Sequence, residues 1–139
     1  MKNILKLIIS ILIPLGGGFV IGLISNTSNY SSFVPAIVFP IVWTILYILM
    51  GISSYIIKEN NGSLKTYYIQ LLINFLWPIV FFNLNLRFLA LLILFLLIYL
   101  VINMINEFKE SSEVAAKLQI PYLLWLIFAT LLNIMSLFS

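Results

Sequence analysis

The stretch Gln-Leu-Leu-Ile-Asn-Phe-Leu-Trp-Pro-Ile-Val-Phe-Phe, at residues 70–82, lies inside an apolar run long enough to cross a membrane. Pro78 has no amide hydrogen to donate to the carbonyl group of Asn74, so a helix is expected to kink there. Because lipid offers an amide no hydrogen-bond partner, we predict that the polar face of this helix points into a bundle. At about 100° per residue, that face collects four side chains: Gln70, Asn74, Trp77 and Phe81.

The composition indicates an integral membrane protein. The 139 residues are 63% hydrophobic and 8% charged, whereas soluble domains carry about 25% charged residues. The net charge of +3 is small and lies between the apolar runs, so it bears on membrane orientation and predicts no nucleic-acid partner. The chain contains no Cys and no His, which excludes disulfides, thiol nucleophiles and metal or haem sites built on those residues. No metal site and no cofactor is predicted.

Five apolar spans divide the chain, which we expect to form one transmembrane domain over residues 1–139. Each span has about the 20 residues that a hydrocarbon core of about 30 Å requires. None alternates with the period of two that a barrel strand would show. The sequence therefore predicts an all-α membrane protein, a bundle of five transmembrane helices. The predicted spans are about 4–25, 36–57, 66–84, 88–106 and 118–138.

Positive charge is unequally divided between the two sides of this arrangement. With five spans, the N-terminus, the 58–65 loop and the 107–117 loop share one side and carry six lysines, whereas the other side has Arg87 alone. Cytoplasmic loops of membrane proteins carry an excess of basic residues. We therefore expect the N-terminus on the cytoplasmic side of a bacterial cell membrane. The 26–35 loop and the C-terminus are then expected outside. Part of the 107–117 loop is expected to extend the fourth helix.

The spans contain little reactive chemistry. No Asp, Glu, Lys or Arg lies deep in a span, where proton pumps and ion-coupled transporters need such groups. Without His, Cys or a buried carboxylate, no activated nucleophile can be assembled beyond weak Ser or Tyr arrangements. The run 16–18 of three glycines does not follow a strand, as a phosphate-binding loop would. These absences argue against an enzyme, and the neutral interior suits a large, flat, mostly apolar ligand.

Two patterns each have a packing and a binding interpretation. Gly18 and Gly22 form a GxxxG pair on the first span, which favours close helix packing, while the missing side chains could instead leave room for a ligand. Aromatic stripes at helical spacing more often pack in a core than contact a ligand. Such stripes lie on the second span (Phe39, Trp43, Tyr47 and Met50) and on the fifth (Tyr122, Trp125, Ala129 and Asn133).

Three segments resemble the translocator protein family, also called the tryptophan-rich sensory protein or TspO/MBR family. Residues 39–51 resemble the family's second-helix pattern of Trp, then Leu-Tyr, then Met-Gly. Residues 70–82 resemble its Gln-Leu-x-x-Asn-x-x-Trp-x-x-x-Phe-Phe pattern, and residues 121–133 resemble its fifth-helix signature nearly position for position. The run 17–19, Gly-Gly-Phe, fits the first-helix pattern more loosely.

The resemblance implies a five-helix bundle, often a homodimer, that binds porphyrins and similar large apolar molecules among its helices. The expected function is a membrane binding protein or sensor for these ligands, with their transport as a further option. The alternatives are a light-dependent porphyrin-degrading enzyme and a structural partner of another membrane protein. The expected ligand-binding positions come from the family pattern and from residues that share its helix faces: Gly22, Ser25, Phe39, Trp43, Tyr47, Asn74, Trp77, Phe81, Leu89, Trp125, Ala129 and Leu132.

The chain departs from the family pattern in two places. Its first loop, 26–35, is shorter than usual, and only Tyr30 and Pro35 match that loop. No basic residue follows Tyr122, so the weak C-terminal cholesterol pattern of a Tyr followed by Lys or Arg is absent.

Overall fold

The computed structural model describes residues 2–25 and 37–138, with side chains from residue 3 onward. Within these two ranges the chain is helical and contains no strand, so the all-α prediction is confirmed. The predicted 26–35 loop, with Tyr30 and Pro35, lies outside the described residues. The helices in chain order are α1 (Lys2–Ile24), α2 (Val38–Glu59), α3 (Lys65–Pro78), a π-helix (Ile79–Asn83), α4 (Arg87–Ser111), α5 (Glu113–Leu118) and α6 (Ile120–Leu137).

Among the described residues, four helical stretches are long and apolar enough to cross a membrane. They are Asn3–Ile24, Val38–Glu59, Arg87–Ser111 and Glu113–Leu137, the last comprising α5 and α6. The predicted span at 66–84 is instead divided between the 14 residues of α3 and the 5 residues of the π-helix. In its described residues the chain is therefore all-helical, with at least four helical stretches of membrane-crossing length.

Pro78 ends α3, and the helix continues in a wider form. Because Pro78 has no amide hydrogen, the regular α-helical ladder is interrupted at that residue. The Leu84 amide then donates to the Ile79 carbonyl at 2.9 Å, a bond that spans five residues and is typical of a π-helix. The kink expected from the sequence thus takes the form of a change in helix type, and it leaves Phe81 and Phe82 buried.

The segment 107–117, predicted as a loop with some helical extension, is helical apart from Ser112. The Ser112 side chain accepts a hydrogen bond from the Ala115 amide at 3.2 Å and so caps α5. The Thr66 hydroxyl at the start of α3 donates to the Glu107 carboxylate at 2.9 Å, which brings the two helix ends together. We call this the lysine-rich end of the molecule, defined by the lysines that lie there: Lys58, Lys65, Lys109 and Lys117.

The polar face of residues 70–81 is buried, as its sequence predicts. Gln70, Asn74, Trp77 and Phe81 are each at most 2% exposed. Their aromatic members belong to a core cluster that draws side chains from α2, α3, α4 and α6. Burial of this face fixes the rotation of α3 and directs its amides at neighbouring helices instead of at lipid.

Helix α1 packs against α2 and, less extensively, against α3. Gly51 of α2 lies against the α1 backbone at Ser10 and Ile11, where an added Cβ would overlap the Ile11 Cα atom. Further along α1, by contrast, an added Cβ at Gly16 or Gly22 would meet no atom within 4 Å. Helices α1 and α2 are therefore closely packed near Gly51, and they leave open space toward the end of α1.

Candidate ligand-binding site

A cavity of about 810 Å³ lies between the second half of α1, the start of α2 and the junction of α3 with the π-helix. Its volume falls in the range of about 300–1,000 Å³ that is common for small-molecule sites. No Asp, Glu, Lys or Arg is among the lining side chains that the structure describes, so the described walls carry no formal charge. The cavity lies away from the lysine-rich end.

The two glycines of the GxxxG pair have different roles in this wall. A Cβ on Gly18 would collide with the ring of Tyr47, so Gly18 permits a close contact between α1 and α2. Gly22 lines the cavity and faces open space, so its missing side chain provides room. Gly18 therefore serves close helix packing, whereas Gly22 leaves room in the cavity.

The α2 wall of the cavity is aromatic. Trp43 and Tyr47, four residues apart and so on one helix face, form a stacked pair with ring centroids 5.5 Å apart and an interplanar angle of 24°. Phe39, one turn earlier, also lines the cavity and meets Phe82 edge to face at 5.6 Å. The arrangement presents ring faces and edges of the kind that a flat, apolar molecule can contact.

The hydroxyl groups of the wall are engaged within the protein. Those of Ser25 and Thr44 donate to carbonyl groups one turn back in their own helices, at 2.7 and 2.6 Å. The Tyr47 hydroxyl donates to the Asn74 side-chain oxygen at 2.7 Å. The cavity thus offers a ligand mainly apolar and aromatic surface.

Tyr47 is the cavity end of a buried hydrogen-bond chain. The Asn74 amide that accepts from Tyr47 donates in turn to the Tyr122 hydroxyl at 2.8 Å. Tyr122 donates to the side-chain oxygen of Gln70 at 2.7 Å. Asn74 does not line the cavity, and both atoms of its amide have protein partners. In this structure Asn74, an expected ligand contact, holds Tyr47 in position.

Trp77 and Phe81 lie in the core and do not line the cavity. The Trp77 indole donates to the Asn133 side-chain oxygen at 3.0 Å, and its ring stacks on Phe81 with centroids 4.8 Å apart. The Asn133 amide donates to the Arg87 carbonyl at 2.8 Å, and the Arg87 guanidinium lies 4.2 Å from the centre of the Phe81 ring. We call these four residues the Trp77 cluster, which joins α3, the π-helix, α4 and α6.

The expected positions on α4 and α6 also lie outside the cavity wall. Leu89 is 46% exposed near the start of α4, while Ala129 and Leu132 are buried in the core. Trp125 stands behind the wall, with its ring edge-on to Phe39 at 5.7 Å and to Trp43 at 6.2 Å. Of the twelve expected positions, the cavity is lined by five: Gly22, Ser25, Phe39, Trp43 and Tyr47.

Pro78 and Phe82 line the cavity although sequence reasoning did not assign them to the site. Counting 100° per residue describes an α-helix, but the turn beyond Pro78 is a π-helix, so the count does not predict the direction of Phe82. The proline itself was the available signal, because it marked a break in the α-helical register.

Comparisons with known proteins identify the family of the chain. The TspO/MBR family model matches residues 10–138. A tryptophan-rich protein TspO of Archaeoglobus fulgidus is 36% identical over 146 aligned positions that cover 94% of each chain. A tryptophan-rich sensory protein of Cereibacter sphaeroides is 35% identical over 102 positions, 71% of this chain and 65% of the relative. The human translocator protein is 35% identical over 100 positions, 66% of this chain and 59% of the human protein. With a family match across most of its length and four membrane-length helices among its described residues, the chain belongs to the TspO/MBR family of membrane proteins.

Proposed function

We propose that this protein is a membrane binding protein or sensor for porphyrins and similar large apolar ligands, which it holds in the cavity between α1 and α2. The observation that supports the proposal is the cavity of about 810 Å³ with its uncharged, aromatic wall. A flat macrocycle would gain roughly 0.5–1.5 kcal/mol from each aromatic contact beyond the burial of its surface. The names of the relatives, sensory protein and translocator protein, agree with a role in sensing or moving a ligand.

The proposal includes five membrane spans, with α3 and the π-helix together forming the third. They cover residues 65–83, which is close to the roughly 20 residues that a hydrocarbon core requires. The lysine-rich end then faces the cytoplasm and the cavity lies in the outer half. A reporter fused after Ser139 should be active outside the membrane, and activity in the cytoplasm would contradict this orientation. A homodimer, which the family resemblance implies, would use faces other than Gly18, since that glycine contacts Tyr47 of its own chain.

The experiment that tests the cavity is a titration of the purified protein with protoporphyrin in the dark, followed by quenching of Trp fluorescence. The parent protein should show a saturable quench. Gly22→Leu places a side chain in the open space of the cavity, so it should weaken binding by roughly ten-fold or more. Its thermal midpoint should not fall, because no neighbour stands in the way and Leu favours a helix more than Gly does.

Val20→Leu is the matched control, because Val20 lies on the same helix, is 55% exposed and does not line the cavity. It should bind protoporphyrin as the parent does. If Gly22→Leu also binds as the parent does, the cavity is not the binding site. A parent protein that shows no saturable quench would instead favour the structural partner, and product formation under light would favour the degrading enzyme.

A further inference from the structure

At the Gln70 end of the hydrogen-bond chain and one turn beyond it, three buried side chains have unpaired polar atoms. They are the amide nitrogen of Gln70, both amide atoms of Gln119 and the hydroxyl of Tyr67, none of which has a hydrogen-bond partner among the described residues. Gln70 and Gln119 are 0% exposed and Tyr67 is 1% exposed. Because burial of an unpaired amide is costly, each of these groups calls for a partner.

The helix register brings the three side chains within about one helical turn of one another along the molecule. Tyr67 precedes Gln70 by three residues on α3, so the two share a helix face. Gln119 is the residue that caps α6; it has helical backbone angles and precedes Tyr122 by three, so it lies on the Tyr122 side of that helix. Both helices begin at the lysine-rich end and therefore run in the same direction. Since Tyr122 donates to Gln70 at 2.7 Å, Tyr67 and Gln119 lie one turn nearer the lysine-rich end on the two sides of the same interface.

The chemistry of these groups selects the ligand. They supply amide and phenol hydrogens together with the Gln119 oxygen, and no charged residue is buried in the part of the chain that the structure describes. The Tyr67 hydroxyl lies near Ser54 without a well-formed hydrogen bond, and Ser54 donates instead to the Gly51 carbonyl at 2.9 Å. A charged ligand would lack compensation here, whereas a small neutral molecule that both donates and accepts would pair with every group.

We infer that Gln70, Gln119 and Tyr67 form an internal water-binding site between α3 and α6, separate from the ligand cavity. Buried water typically makes about three hydrogen bonds to groups that would otherwise be unpaired, which matches this set. The bound water extends the chain from Tyr47 through Asn74, Tyr122 and Gln70 to Gln119. It therefore stabilises the contact between α3 and α6 on the side facing the lysine-rich end.

Gln119→Met tests this inference, because Met has a similar length and no amide. If the interface were dry, the substitution would remove an unpaired amide and raise the thermal midpoint. If water is bound, the substitution removes the hydrogen bonds between Gln119 and the water. The water is then held less firmly, the Gln70 nitrogen loses its partner with it, and the midpoint should fall by several degrees. Leu118→Met, at the neighbouring and partly buried position, is the control and should change the midpoint little.

Two further measurements keep the test independent of that single variant. The double variant Gln70→Met/Gln119→Met should lower the midpoint by less than the sum of the single effects, because both side chains hold the same water. In nuclear magnetic resonance spectra of the detergent-solubilised parent, the Gln119 side-chain amide hydrogens should show a cross-peak to long-lived bound water. A midpoint that rises or stays unchanged in Gln119→Met, additive effects in the double variant, or a missing cross-peak would each overturn the inference.

Discussion

Trp43 and Trp77 both lie on helix faces that the sequence marks as inward, yet their surroundings differ. Trp43 is half-buried, stacks on Tyr47 and borders a cavity of about 810 Å³. Trp77 is 2% exposed, donates its N–H to Asn133 and packs among the other members of the Trp77 cluster. The comparison teaches that an inward helix face does not define a binding residue. What decides the role is whether the ring meets open space or other side chains.

The helices around the two tryptophans are buried to different degrees. Helix α1 forms one wall of the cavity, and only 6% of the residues in its most apolar stretch are buried. The corresponding share is 39% in α2 and in α4. The cavity therefore lies between a largely exposed helix and an aromatic wall on α2, whereas the Trp77 cluster is contacted from four helical elements.

The largest expected effect is on stability and concerns the Trp77 cluster. Trp77→Ala should lower the free energy of unfolding by about 3–5 kcal/mol, because it empties a large buried volume and leaves the Asn133 oxygen without its donor. Thermal or denaturant unfolding in detergent measures the loss. Trp77→Phe keeps most of the ring and should lose less. Folded Trp77→Ala protein should bind protoporphyrin nearly as the parent does. Weakened binding with unchanged stability would make Trp77 a ligand contact.

The part of this comparison that the sequence could predict is the burial of the α3 face. Helical periodicity places Gln70, Asn74 and Trp77 together, and the absence of hydrogen-bond partners in lipid decides that they point inward. Both steps depend on local sequence alone. The TspO/MBR family was also recognisable, because its motifs are contiguous stretches of sequence.

The position of the cavity could not be predicted in the same way, because it depends on how neighbouring helices approach one another. Gly18 and Gly22 are equivalent in sequence, but one contacts Tyr47 and the other faces open space. The direction of Phe82 depends on a π-turn that the α-helical count does not represent. The role of Asn74 depends on Tyr47, a partner 27 residues away in the chain.

A smaller effect, this time on affinity, distinguishes the first layer of the cavity wall from the second. Trp43→Ala removes ring surface that borders the cavity, so it should weaken protoporphyrin binding by about ten-fold, or roughly 1.4 kcal/mol. The titration is best followed by porphyrin absorbance, because the variant lacks one of the three tryptophans that would report by fluorescence. Trp43→Phe keeps an aromatic ring at this position and should retain most of the affinity.

Trp125→Ala should weaken binding less than Trp43→Ala, by roughly three-fold, or about 0.7 kcal/mol. Trp125 is absent from the cavity wall and supports it from behind through edge-on contacts with Phe39 and Trp43, at 5.7 and 6.2 Å. Its removal lets those rings move but takes away no wall surface. The indole N–H of Trp125 has no partner among the described residues, so truncation leaves no protein acceptor unpaired. If Trp125→Ala loses as much affinity as Trp43→Ala, the ligand itself reaches Trp125. The binding site would then extend from the cavity to α6, where the family resemblance places Ala129 and Leu132.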